Sequence, residues 1–147
     1  LQALRIYQMV AERDQNEDST RDVTGTIKII GMVHAKKGDL DTAMKFFSQA
    51  MDTLRSSGIL DTNNGKETLA SILSRIASTH FKKGEYEQAM LHYREAHDLT
   101  VHLRGLNHPE VAGILHYIGG IHHTLIKNTR IAVTSLPIIY IHLTDET

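Results

Sequence analysis

Cysteine is absent from this 147-residue chain, and so is tryptophan. Without thiols there is no disulfide and no thiolate metal site. The absence fits a reducing compartment, so a cytoplasmic location is expected. Proline occurs only at Pro109 and Pro137, which leaves the first hundred residues free of the strongest helix breaker. Neither sign of charge dominates: 16 Lys and Arg face 17 Asp and Glu, the net charge is -1 and the pI about 6.9. No basic stripe is available to neutralise a phosphate backbone, so nucleic acid is not an expected partner. No apolar run approaches the ~20 residues that span a bilayer, and no charged-then-apolar leader opens the chain. The first residue is Leu1 rather than Met, which reads as a piece of a longer protein. What remains is ordinary for a folded domain: 41% hydrophobic and 22% charged residues, at a length that can build one core.

The main positive signal is internal repetition. Lys36-Lys37-Gly38-Asp39-Leu40-Asp41-Thr42-Ala43-Met44 returns 46 positions later as Lys82-Lys83-Gly84-Glu85-Tyr86-Glu87-Gln88-Ala89-Met90. Ile30-Gly31 corresponds to Ile76-Ala77, His34 to His80, Phe47 to Tyr93 and Ala50 to Ala96. A third copy opens 42 positions after the second with Ile118-Gly119 and His122. A partial copy precedes the first: Ala3-Leu4-Arg5-Ile6-Tyr7 matches Ala43-Met44-Lys45-Phe46-Phe47, 40 positions on.

These positions follow the pattern large-x2-Leu-Gly-x2-Tyr, then Ala-x3-Phe. Repeat one reads Ile27, Ile30, Gly31, His34, then Ala43 and Phe47. Repeat two reads Leu73, Ile76, Ala77, His80, then Ala89 and Tyr93. Repeat three opens with Leu115, Ile118, Gly119 and His122. Over residues 1–125 the chain resembles the tetratricopeptide family. The connector Gly105-Leu106-Asn107-His108-Pro109-Glu110-Val111-Ala112 resembles that of kinesin light chain and its relatives with 42-residue repeats. The connector from Ser56 to Lys66 lacks the His-Pro.

The resemblance implies an all-α, right-handed superhelical solenoid of antiparallel helical hairpins. A half repeat at 1–20 precedes repeats at 24–58 and 68–104, a partial repeat at 109–125 and an atypical apolar tail at 126–147. First helices are expected at 24–37, 68–83 and 109–125, and second helices at 40–56 and 86–103. Gly31, Ala77 and Gly119 allow close helix approach. Gly38 and Gly84 suit the left-handed backbone at a helix end, beside favourable lysines. Pro109 suits a first helical turn. Stacked hairpins bury what one hairpin cannot.

By the family pattern the first helices line a concave binding face. Its expected residues are Lys28, Met32, Ala35 and Lys36 in repeat one; Ser74, Ser78, Phe81 and Lys82 in repeat two; and His116, Gly120 and His123 in repeat three. This mildly basic lining suits a protein or an extended peptide of acidic or small polar character, with Phe81 as an apolar anchor. Some relatives clamp a terminal carboxylate with Lys and Asn, and kinesin light chains line their groove with asparagines. Here Met32, Arg75 and Ser78 stand in place of the clamp asparagines, so neither recognition mode carries over.

Ten histidines raise the question of a metal. His34, His80 and His122 share one repeat position and are expected to pack within hairpins. His92, His97 and His102 fall about 140° apart around a helix. His116 and His123 share a face without Asp, Glu or Cys beside them, so neither metal nor cofactor is expected. Glu12, Asp14, Glu17, Asp18 and Asp22 read as a solvated helix end and linker. No Gly-x-Ser-x-Gly, phosphate loop or His-Glu-x2-His occurs. The expected role is therefore a non-enzymatic interaction scaffold or adaptor. The alternatives are a structural segment of a larger array or homo-oligomer, or the regulatory domain of a larger enzyme. After His123 the repeat pattern fails: Ile126 stands where Gly is expected, and residues 131–143 are β-branched with Pro137 among them. Self-association through that uncapped end is expected.

Overall fold

The computed structural model describes residues 17–134, together with Arg5 and Met9. Among the described residues five helices follow one another: α1 (Glu17–Lys36), α2 (Leu40–Ser56), α3 (Asn63–Lys83), α4 (Tyr86–Arg104) and α5 (Pro109–Thr134). They pack in sequential antiparallel pairs. α1 and α2 form one hairpin and α3 and α4 a second; α2 lies against α3, and α4 against α5. No helix among the described residues is long and apolar enough to cross a membrane.

Two nearly identical reversals make the hairpins. Gly38 and Gly84 take φ of 85° and 79°, which a side chain rarely adopts. At the first, the Gly38 amide donates to the Ala35 carbonyl and the Asp39 amide to the His34 carbonyl. At the second, Gly84 and Glu85 repeat this toward Phe81 and His80. The otherwise unsatisfied last carbonyls are thereby used. The imidazole of each first helix then meets the acid that opens the second: His34 Nδ1 lies 3.1 Å from Asp39, and His80 Nδ1 2.5 Å from Glu85. The hydrogen bond from His80, aided by Lys83, holds the Glu85 carboxyl below its usual range. Asp39 is lowered chiefly by its hydrogen bond from Thr42, with His34 adding to it.

Above each reversal the helices come close. A β-carbon on Gly31 would stand 2.7 Å from the Phe47 ring, so the aromatic seats directly on the α1 backbone. Ala77 and Tyr93 hold the equivalent places in the second hairpin, both buried. Ala43, Ala50, Ala89 and Ala96 are wholly buried and let the second helices approach. Ile27, Leu54, Ile72 and Leu73 fill the rest, each burial stabilising by about 1.5–3 kcal/mol. His34 stacks on Phe46 and His80 on His92, with ring centres 5.5 Å apart in both pairs. The imidazoles at the first two repeat positions thus pack within their hairpins. His122 is exposed, with no second helix against it.

Several boundaries differ from the sequence expectation. α1 begins at Glu17, not 24, because Thr20, Val23 and Thr24 are buried and need the helix beneath them. Glu17 and Asp18 are therefore first-turn helical residues, where the dipole favours acids, and Asp22 is in the second turn; none is a linker. Glu12 and Asp14 lie outside the described residues. α3 begins at Asn63, not 68: the Thr62 hydroxyl caps it by accepting from the Gly65 amide at 3.0 Å. The connector folds over that first turn, so a β-carbon on Gly65 would sit 2.0 Å from the Ile59 carbonyl oxygen. α5 runs on through Ile126 to Thr134 and does not end at 125. Gly38 and Gly84 supply positive φ at this register, and Ile126 does not. Most of the half repeat at 1–20 and the tail beyond 134 lie outside the described residues.

Two measurements check this packing. Gly65→Ala is expected to lower unfolding stability by about 2–3 kcal/mol. Gly113→Ala, on α5 with nothing within 4 Å of an added β-carbon, is expected to raise it by about 0.5–1 kcal/mol; denaturant midpoints decide both. The His92 ring, which stacks on His80, has its pKa lowered by burial and then by the His80 charge, with Glu95 opposing. The fold thus favours the neutral ring. The stability this contributes is present above the unfolded value and is lost as pH falls through the lower folded value. His92→Phe, which copies Phe46 of the first hairpin, is expected to flatten the thermal-stability profile below pH 7.

Candidate functional site

Consecutive first helices α1 and α3 lie side by side and leave a cleft of about 130 Å³ between them. Met32, Ala35, Lys36, Ser78 and Lys82 line it, so five of the expected binding-face residues meet in one place. Phe47 and Thr79 add to the walls, and so does Arg75, which the sequence reading treated only as a replaced asparagine. The helical register explains the gathering: Met32 and Lys36 are one turn apart, as are Ser78 and Lys82. Lys36, Arg75 and Lys82 form no ion pair among the described residues. Three cations thus face a small hollow with apolar walls and the hydroxyls of Ser78 and Thr79.

The neighbouring cleft, about 260 Å³, holds Lys28 with Arg21, Ser71, Glu67, Arg104 and Glu110. Here the charges are already engaged. Lys28 Nζ donates to Ser71 Oγ at 2.9 Å, and Arg104 pairs with Glu67 at 3.1 Å. Burial, and then the Arg75 charge, push the Lys28 pKa down, while Glu110 pulls it up. Lys28 is a half-buried bridge between α1 and α3, less available to a ligand than Lys36 or Lys82.

The remaining expected residues are dispersed. Ser74 is half-buried and lines neither cleft. Phe81 is half-buried against the core, with its ring 5.7 Å from Tyr86 of its own hairpin. It is not the exposed aromatic anchor that the spacing suggested. His116, Gly120 and His123 are exposed along α5, His116 edge-on to Tyr117. Tyr117 is the exposed aromatic that the sequence reading missed. It stacks on Tyr93 at 5.3 Å, nearly parallel. The missed signal was positional: Arg75 and Tyr117 hold the same register, 42 residues apart. Among the described residues no group of three or more His, Asp or Glu is placed to hold a metal ion.

Residues 29–53 match a tetratricopeptide repeat, and residues 69–110 match another. Tetratricopeptide repeats occupy residues 29–110. Such repeats are in general protein–protein interaction modules. Both matches are to this repeat and neither to a catalytic family. The chain matches no curated protein.

Within the repeats, Tyr93 ties the packing to the cleft. Its hydroxyl has Ser78 as a hydrogen-bond partner, and burial pushes its pKa up to about 12. A raised phenol pKa means that the fold favours the protonated form. Stability is therefore expected to fall as pH rises from the unfolded value near 10 toward 12. Tyr93→Phe should flatten that alkaline limb in denaturant titrations. An unchanged slope would place the loss on other groups.

Proposed function

We propose that the chain is an interaction scaffold or adaptor, kinesin-light-chain-like in its repeats and cytoplasmic, that binds an acidic peptide segment of a protein partner on the first-helix face. It acts by binding alone, with no covalent chemistry and no cofactor. One observation carries this reading: Lys36, Arg75 and Lys82 converge on the α1–α3 cleft without carboxylate partners among the described residues. By contrast Lys83 meets Asp41 at 2.9 Å and Arg104 meets Glu67 at 3.1 Å. Unpaired cations beside an apolar floor suit a carboxylate-bearing side chain followed by a small apolar one. Met32 and Ala35 supply the apolar part. The match over residues 69–110 spans a 42-residue unit and supports the kinesin-light-chain-like reading.

The test is a panel of fluorescent peptides matched in sequence except for Asp and Glu exchanged for Asn and Gln. Acidic members should bind more tightly, and binding should weaken as salt rises. A Lys36→Glu, Arg75→Glu, Lys82→Glu variant with unchanged circular dichroism should lose about tenfold or more in affinity. Equal binding by the variant would move the site off this cleft. A preference for the amide peptides would overturn the acidic class.

A further inference from the structure

Among the described residues α5 is a first helix without its second. In α1 the residues Ile27, Gly31 and His34 are covered by α2: Ile27 is fully buried, Phe47 seats on Gly31, and His34 stacks on Phe46. In α3 the equivalent Leu73, Ala77 and His80 sit in the α3–α4 hairpin: Leu73 and Ala77 are buried, and His80 stacks on His92. In α5 the same register is bare. Leu115 is 49% exposed, Gly119 has nothing within 4 Å of an added β-carbon, and His122 is exposed. Ile126, 61% exposed, continues the row. The notch that accepts an aromatic in hairpin one is present here and open.

At the other end, α1 shows the complementary gap. Val33 is 46% exposed, yet its register equivalents Thr79 and Ile121 are buried, in helices packed against the preceding second helix. Among the described residues no second helix stands in front of α1 or behind α5.

One stretch of this chain has the right pattern for both places. Ala3-Leu4-Arg5-Ile6-Tyr7 repeats Ala43-Met44-Lys45-Phe46-Phe47, which puts Tyr7 in the place of Phe47 and Tyr93. Arg5 and Met9 are helical and exposed, one turn apart. The geometry points to head-to-tail association of copies, in which residues 1–16 of one copy supply the second helix to α5 of the next. Tyr7 then seats on the neighbour's Gly119 as Phe47 seats on Gly31. Such a heterologous contact does not close on itself, so assembly is open-ended. The inference is independent of the acidic-peptide reading, because it uses different faces of the helices.

The test is the mass in solution, by light scattering or sedimentation, of the whole 147-residue chain at about 100 µM, where a contact of micromolar Kd is nearly saturated. The wild type should grow past the dimer as concentration rises. Gly119→Leu fills the notch on an exposed helix position and should leave circular dichroism unchanged while assembly is lost. Tyr7→Glu removes the knob and should do the same. Mixed one to one, the two variants each keep one working end and should stop at a heterodimer. A monomeric wild type would overturn the inference. So would growth of Tyr7→Glu equal to wild type, which would mean α5 pairing with α5, or a mixture that stays monomeric.

Discussion

The structure depends on how closely two helices can approach within a hairpin. At Gly31 the first helix has no side chain, and the Phe47 ring occupies the space a β-carbon would take. That contact brings α2 near enough for Ala43 and Ala50 to be wholly buried. Ala77, Tyr93, Ala89 and Ala96 repeat the arrangement one hairpin on. Because each hairpin exposes an apolar face after this internal packing, α2 must lie against α3 and α4 against α5. The knob therefore sets hairpin thickness, and thickness sets the spacing between first helices. The α1–α3 cleft has its width for that reason, and Phe47 itself forms part of its wall.

Charge is divided between the two sides of this packing. At the reversals the ionic groups serve the fold: His34 meets Asp39, His80 meets Glu85, and Lys83 joins Asp41 from one hairpin to the next. Asp39 and Glu85 are held in their charged form, so the stability they contribute is lost as pH falls through their lowered values. Along the first-helix face Lys36, Arg75 and Lys82 have no such partners among the described residues. Surface pairs contribute only about 0–1 kcal/mol each, so leaving these cations unpaired costs the fold little. A scaffold can thus keep a charged face for a partner at almost no loss of its own stability.

The hairpins were legible in the sequence because their determinants are local and recur. Gly38 and Gly84 mark the left-handed ends, and Ala43 with Phe47 and Ala89 with Tyr93 mark the seams. The helix starts were harder to see. Thr62 caps α3 six residues before the expected start, and its signal is hidden behind the apolar Ile59 and Leu60, which pack on the core. Asp18 and Asp22 are exposed at a helix end as read, but composition cannot show that Thr20 is buried between them and that the helix already runs there. Of the residues that line the α1–α3 cleft, Met32, Lys36, Ser78 and Lys82 were legible from repeat position alone. Phe81 was not, since its ring turns to Tyr86, a contact that depends on rotamer and not on spacing. Arg75 escaped for the converse reason: its register does not usually carry a cation, yet its long side chain reaches both Lys28 and the cleft.

The same determinants explain where the repeat stops. A hairpin needs a left-handed residue two or three positions past the first-helix core, and α5 has Ile126 there, a β-branched residue for which positive φ is strongly unfavourable. The helix has no reason to end and runs on to Thr134. Yet the residues before that point keep the close-approach pattern, with Leu115, Gly119 and His122 spaced as in the completed hairpins. Glycine inside an exposed helix costs about 1 kcal/mol relative to alanine and gives the isolated helix nothing in return. In α1 the glycine is compensated by the seated aromatic. In α5 Gly119 lacks that compensation within the described residues, and a helix laid across it from outside would supply it.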